Sequence, residues 1–342
     1  MIEYPLLKYA ARVVPQSNGL EIHYRQKSYH FGLDNATKCA YALNLCNGKK
    51  SVQQVAKEAV LSPRELQTLL EDLYKVPLML EGKKILRTDG YLSGRELFWR
   101  LEALLFAWRE TPEGKYGFNL DRDIATGKVS ENIVKGFCLE LGHLLRSVPE
   151  ELGLAVVHAQ SEMVRNLYMQ FYNEESKHGQ ILFKALKSWF KDEEQILFAT
   201  PLPATVGLMQ TYKAWAEKDS LLYATALMRD EASPLDAEVK PEEDIYLGME
   251  KHYNVPSIII EKYRWHANLD RKNDHGFFPE KIFSLYSVID KVRARTLVSA
   301  LKQIIDLHNL FRWNVYAYYK DHSVESRIEL YKTFENGSFI YC

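Results

Sequence analysis

From Asn132 onward the chain reads as helix almost without interruption, and this constrains its fold more than any other feature. Apolar residues recur at intervals of three and four along IVKGFCLELGHLL, EMVRNLYMQFY, VGLMQTYKAWA and TLVSALKQIIDLHNLF. No strand signal, internal repeat or glycine-rich phosphate loop interrupts the pattern. Stripes of this kind bury their apolar faces against one another, so residues 131–325 are predicted to form a helical bundle.

The N-terminal quarter is written differently. AARVV, LEIHYR and KSYHF alternate like strands and are broken by Gln16-Ser17-Asn18-Gly19, a turn signal. Three helices are predicted next. The first covers about Ala36 to Leu45 and stops at Asn47-Gly48; the second starts at Ser51, a good N-cap, and runs to about Ala59. The third opens on Ser62-Pro63-Arg64-Glu65, a capping box with proline at the first helical position. PLMLEGKKILR then reads as a hairpin with Glu81-Gly82 at its tip. Strands, three helices and a wing describe a winged helix-turn-helix over residues 1–90, used either to read DNA or to grip a peptide at a sheet edge. Residues 91–130 read as a helical connector.

Charge helps to choose between those uses. Residues 1–90 hold thirteen Lys and Arg against nine Asp and Glu, an excess of +4 that is too diffuse for a phosphate-binding face. The third helix, RELQTLLEDLYK, would also turn Glu65, Glu71 and Asp72 toward phosphates. Over the whole chain 44 basic and 45 acidic side chains nearly cancel, which leaves no global field for nucleic acid or anionic lipid. The expectation is no nucleic-acid and no membrane partner. Cys39, Cys46, Cys138 and Cys342 lack CxxC spacing and read as reduced thiols of a cytoplasmic protein.

Metal sites in helical bundles are built from carboxylates and imidazoles projecting inward from several helices, often with Glu and His three apart. NEESKH offers Glu175 and His178 at that spacing, with Glu174 as an alternative partner at four. Glu140 and His143 repeat the spacing in FCLELGHLL, where an ionised carboxylate in an apolar run needs a partner or a cation. Glu231 follows the apolar run LLYATALM, and His266 and Asp270 stand four apart in YRWHANLDRKNDHGF. His158 and Glu162 also lie four apart, but on an unbroken helix Glu162 would face about 160° away from His178, so this pair reads as structural.

At these residues the chain resembles the heme-oxygenase-like superfamily, in particular its TenA/PqqC branch and the non-heme diiron oxidases and oxygenases built on the same fold. The resemblance covers about residues 130–320. It implies a mainly α fold whose ligands run in order as Glu140, Glu175, His178, Glu231, His266 and Asp270, closing on a last histidine. The family spacing puts that histidine at 273, where this chain has Asn273. The nearest, His275, would point about 180° from His266 on a regular helix. Either a π-bulge or a loosened last turn swings His275 inward, the favoured expectation, or Asn273 or Asp274 takes its place.

FGLDNATKCAYALNLCNGKKSVQQVAKEA resembles PqqD, the peptide-recognition element of ribosomal-peptide maturation systems. That likeness implies a peptide-binding groove between LEIHYR or KSYHF and RELQTLLEDLYK. Together the resemblances imply an enzyme that holds two iron ions, cycling between Fe(II) and Fe(III), and uses O2 as co-substrate. Its substrate would be amino-acid-derived or peptide-borne, in natural-product biosynthesis, and its partner a precursor peptide or carrier protein bound by the N-terminal domain. The fold also implies a homodimer. Two rivals stay open: a metal-independent enzyme like PqqC or TenA, and a non-catalytic peptide- or DNA-binding regulator.

Overall fold

A computed structural model of the chain describes residues 2–8, 11–24, 27–76, 78–83, 92–109, 111, 117–190, 196, 199–230, 244–273 and 275–324. Glu231, Asp274, Cys342 and the predicted return strand after Lys83 lie outside the described residues. The described residues form two compact units.

The first unit comprises residues up to 111 together with 276–298. The connector helix and a stretch of the predicted bundle therefore pack with the N-terminal residues. Strands β2 (Arg12–Gln16), β3 (Gly19–Tyr24) and β4 (Lys27–Phe31) form an antiparallel meander, with Ile22 opposite both Val13 and Tyr29. Gly19 opens β3 at φ 152, and a Cβ there would stand 2.1 Å from the Phe31 carbonyl oxygen. Helices α1 (Ala36–Asn44), α2 (Val52–Ala59) and α3 (Pro63–Lys75) follow; the expected capping box on Ser62 is formed, and the expected N-cap Ser51 closes a second one with Gln54. Their apolar faces close a core around Ile22, Leu43, Val55, Leu66 and Leu70.

Of the expected wing, the described residues hold the first strand. Strand β5 (Met79–Glu81) pairs antiparallel with β1 (Pro5–Leu7), matching Pro5 to Glu81 and Leu7 to Met79. Helix α2 ends on Val60 at φ 55, a left-handed conformation that is costly for a β-branched residue. Val60 is 72% exposed, so little packing holds it. Val60→Gly is expected to stabilise the fold by about 1 kcal/mol, because strain of this kind is of order 1 kcal/mol or more. Urea denaturation midpoints check it.

Helix α4 (Gly94–Arg109) sets Phe98 against Phe283 at 5.7 Å between ring centroids. The second unit carries α5 (Leu120–Ala125), α6 (Glu131–Val157), α7 (Glu162–Glu175), α8 (His178–Leu186), α9 (Pro203–Lys218), α10 (Ser220–Asp230), α11 (Ile245–His252), α12 (Ser257–Lys272) and residues 299–319 of α14 (Lys291–Tyr319). The short helix α13 (Phe278–Ser284) belongs to the first unit. In the second unit α6 is the spine, packed by α7, α8 and α9, while α8 also packs on α12. Among the described residues the expected helical character from Asn132 onward holds, and the chain is mainly α. Among the described residues, no helix is long and apolar enough to cross a membrane.

Candidate metal centre

The helix carrying Glu175 does not continue to His178. Helix α7 closes on Glu175, Ser176 and Lys177 make a turn, and α8 opens on His178. Both turn residues keep right-handed helical angles, so the three-residue spacing survives and His178 Nδ1 stands 3.0 Å from Glu175 Oε2. A close backbone approach fixes the start of α8. Pro149 has no N–H for the Leu145 carbonyl one turn earlier in α6. That carbonyl faces Gly179, where a Cβ would lie 2.1 Å from the oxygen. Gly179→Ala must therefore push α8, and His178 with it, away from α6. The expected result is a loss of about 1–3 kcal/mol in stability, the range for overpacking, with weakened metal uptake, read by thermal melts with and without metal.

Helix α12 supplies the opposite wall. His266 Nδ1 lies 3.0 Å from Asp270 Oδ2, and His266 Nε2 lies 3.5 Å from Glu175 Oε2. The His178 and His266 rings meet edge to face at 5.1 Å, and Trp265 packs on His178 at 5.3 Å. Ligand atoms of Glu175, His178, His266 and Asp270 all fall within 4.8 Å of one another. Glu175 and His178 are buried, while His266 and Asp270 are half-buried.

His275 reaches the same place because α12 ends at Lys272 and the chain turns into a 3-10 segment, His275–Phe277. This is the loosened last turn, and among the described residues it holds no π-bulge. His275 is 2% exposed, with Nδ1 3.2 Å from both Glu175 Oε1 and Asp270 Oδ1, and Nε2 2.9 Å from Glu174 Oε2. Asn273 is exposed. Glu175 thus turns one oxygen toward His178 and His266 and the other toward His275.

Glu140 stands outside this group. Its carboxylate is fully buried, accepting from Tyr319 Oη at 2.9 Å on one oxygen and from Leu202 N at 2.9 Å and Thr205 Oγ1 at 2.5 Å on the other. Hydrogen bonds from distant elements supply the partners that an apolar helix cannot. The pair His158 and Glu162 is split by the end of α6 at Val157, in keeping with its structural reading.

Electrostatics show the strain of holding these groups together. Burial alone would raise the Glu175 carboxyl, yet the imidazoles of His178 and His266 hold it below its ordinary value. Burial works against Asp270 in the same way, and His266 and His275 bring it down to about 2. For His266 burial disfavours the imidazolium, but Asp270 and Glu175 push its pKa up to about 10. Glu175 Oε1, His266 Nε2 and Asp270 Oδ1 are buried without a hydrogen-bond partner. Buried polar atoms are rarely left so, and these three belong to residues whose ligand atoms cluster within 4.8 Å, which marks a place suited to a cation.

No protein-family model matches the sequence, and no curated protein matches it. Among solved structures, a domain of unknown function from Shewanella denitrificans OS217 with a heme oxygenase-like fold superposes with a TM-score of 0.52 at 13% identity, over 70% of this chain and 95% of that one. The fold is heme-oxygenase-like. At that identity the likeness concerns architecture alone, and the chemistry must be argued from the side chains.

Nitrogen and oxygen donors without thiolate suit iron or manganese, and the orphaned atoms fit such an ion. With Nδ1 of His266 directed at Asp270, Nε2 is the ring atom left for a metal, the arrangement in which a carboxylate orients a ligating imidazole.

Proposed function

We propose that this chain is a non-heme diiron oxidase or oxygenase that uses O2 to oxidise an amino-acid-derived or peptide-borne substrate in natural-product biosynthesis. One observation carries the reading: Glu175, His178, His266 and Asp270 bring ligand atoms within 4.8 Å of one another, and three of their buried polar atoms make no hydrogen bond. Two iron ions, when bound, supply redox equivalents and open positions for O2.

The chain's own residues divide the work. His178, His266 and Glu175 would hold the ions, Glu175 presenting one oxygen on the side of His178 and His266 and the other on the side of His275. Asp270 orients His266 through Oδ2 and offers Oδ1, while His275 completes the side away from His178. Glu231 is proposed to add a further carboxylate. Glu140, engaged by Tyr319, Thr205 and Leu202, serves to hold α6 against its neighbours. Trp265, packed on His178, walls the site. The N-terminal unit, with its meander and three helices, is proposed as the PqqD-like element that presents the substrate-bearing peptide.

Iron uptake must displace protons. His266 has a pKa of about 10 in the metal-free group, so at neutral pH it is an imidazolium that cannot ligate. Each chain loaded at pH 7 is expected to release a proton from His266, and apparent affinity to fall about tenfold per pH unit below 10. The sign reverses for the metal-free fold: His266's pairing stabilises it fully below 6.5, its ordinary pKa, and that support is lost as pH rises through about 10.

Anaerobic Fe(II) titration in a weakly buffered indicator solution reads stoichiometry and proton release together. About two irons per chain, followed by O2 consumption on exposure to air, supports the reading; absence of uptake abandons it.

A further inference from the structure

A file of buried aromatic rings leads away from the metal group and ends on a tyrosine paired with a base. The His275 ring meets Phe171 edge to face at 4.9 Å. One turn earlier on the same face of α7 stands Tyr168, which is fully buried. Tyr168 packs on Tyr223 at 5.7 Å, Tyr223 on Tyr212 at 6.2 Å, and Tyr212 on His308 at 6.3 Å between ring centroids. Tyr212 and His308 are 5% and 7% exposed, and Tyr212 Oη lies 2.9 Å from His308 Nε2.

The tyrosines are not equivalent. A phenol gives up an electron readily only if its proton can leave with it, since the protonated radical cation is a strong acid. Tyr168 donates to the backbone carbonyl of Ser220 at 2.7 Å, and a carbonyl is too weak a base to take that proton. Tyr212 faces an imidazole, which can. Asp121 sits close enough to His308 to interact with its charge, and its bidentate pairing with Arg312 keeps it ionised.

We infer that Tyr212 is a redox-active tyrosine, relayed to the metal group through Phe171, Tyr168 and Tyr223, with His308 as its proton acceptor. This rests on the O2 chemistry proposed above, which supplies the oxidant. One electron leaves the Tyr212 phenol along the ring file toward oxidising equivalents drawn from O2 at the metal group, and the Oη proton passes to His308 Nε2. The products are a neutral tyrosyl radical, an imidazolium and an oxidant reduced by one electron. An external thiol returns the electron, and the proton returns from His308. In turnover without substrate the file drains oxidising power away from the ligands.

The test is rapid freeze-quench electron paramagnetic resonance of the Fe(II)-loaded full chain mixed with O2 in the absence of substrate. A tyrosyl signal is expected that disappears in Tyr212→Phe and in His308→Gln, which keeps a hydrogen-bonding side chain but no base, while both variants load iron as the native chain does. Peptide mass spectrometry of the same samples should show more oxidation at Phe171 and His275 in the variants. Should Tyr212→Phe fail to fold, 3-fluorotyrosine at position 212 must split the native signal through the fluorine nucleus. Iron loading and O2 consumption with no tyrosyl signal, or a signal unchanged in Tyr212→Phe, overturns the inference and leaves the oxidase reading standing. No Fe(II) uptake overturns both.

Discussion

Glu175→Ala is expected to abolish iron loading while the chain stays folded. Removing a residue that merely orients a ligand lowers metal affinity about 10- to 100-fold, so removing a proposed ligand itself should exceed about 100-fold. Glu175 touches all three histidines of the site: His178 at 3.0 Å, His266 at 3.5 Å and His275 at 3.2 Å. Its loss also lowers the pKa of His266, one of whose two carboxylate partners disappears. The variant should therefore melt close to the metal-free native chain, yet gain nothing when Fe(II) is added. A variant that still gains several degrees on Fe(II) addition would place the binding site elsewhere. His266→Ala is expected to behave alike.

The second large effect lies in the N-terminal unit. Lys8→Met is expected to destabilise that unit by about 3–5 kcal/mol, the size of a broken buried ion pair. Lys8 is 2% exposed, with Nζ 2.7 Å from Glu280 Oε2 and 3.8 Å from Glu102 Oε2, and 4.3 Å from the centre of the Tyr24 ring. Trp99 Nε1 donates to Glu280 at 3.1 Å, and Tyr24 donates to Glu102. Methionine fills the space but removes the ammonium, leaving two buried carboxylates to repel one another. Since folded domains are stable by about 5–15 kcal/mol, about a fifth or more of the unit's margin goes. Converting all three residues together, Lys8→Met with Glu102→Leu and Glu280→Leu, should restore most of it, because an apolar trio carries no desolvation penalty. Chemical denaturation of the variants reads both results, and a loss under about 1 kcal/mol for Lys8→Met contradicts this account of the cluster.

Local signals in the sequence were dependable where the physics is local. Ser51 and Ser62 announce α2 and α3 because a capping box is closed by residues three apart. The i, i+3 relation of Glu175 and His178 likewise survives the break between α7 and α8. Long-range pairing was not legible. Met79–Glu81 looked like half of a hairpin, yet its described partner is Pro5–Leu7, a strand too short to announce itself. Lys8 gave no sign of a buried role, since its two carboxylates lie 94 and 272 residues away along the chain. Glu140 shows the same limit from the other side. A carboxylate in an apolar helix must have a partner, but whether that partner is a metal or Tyr319, 179 residues on, is decided by folding alone.

The central claim is that Glu175, His178, His266 and Asp270 hold iron. Anomalous diffraction at the iron absorption edge, from crystals grown with Fe(II) under anaerobic conditions, tests it most directly. The account predicts density peaks between α7, α8 and α12, within about 2.0–2.3 Å of donor atoms from these four residues. Crystals soaked to saturation that show no peak there, or place iron only elsewhere, would contradict it.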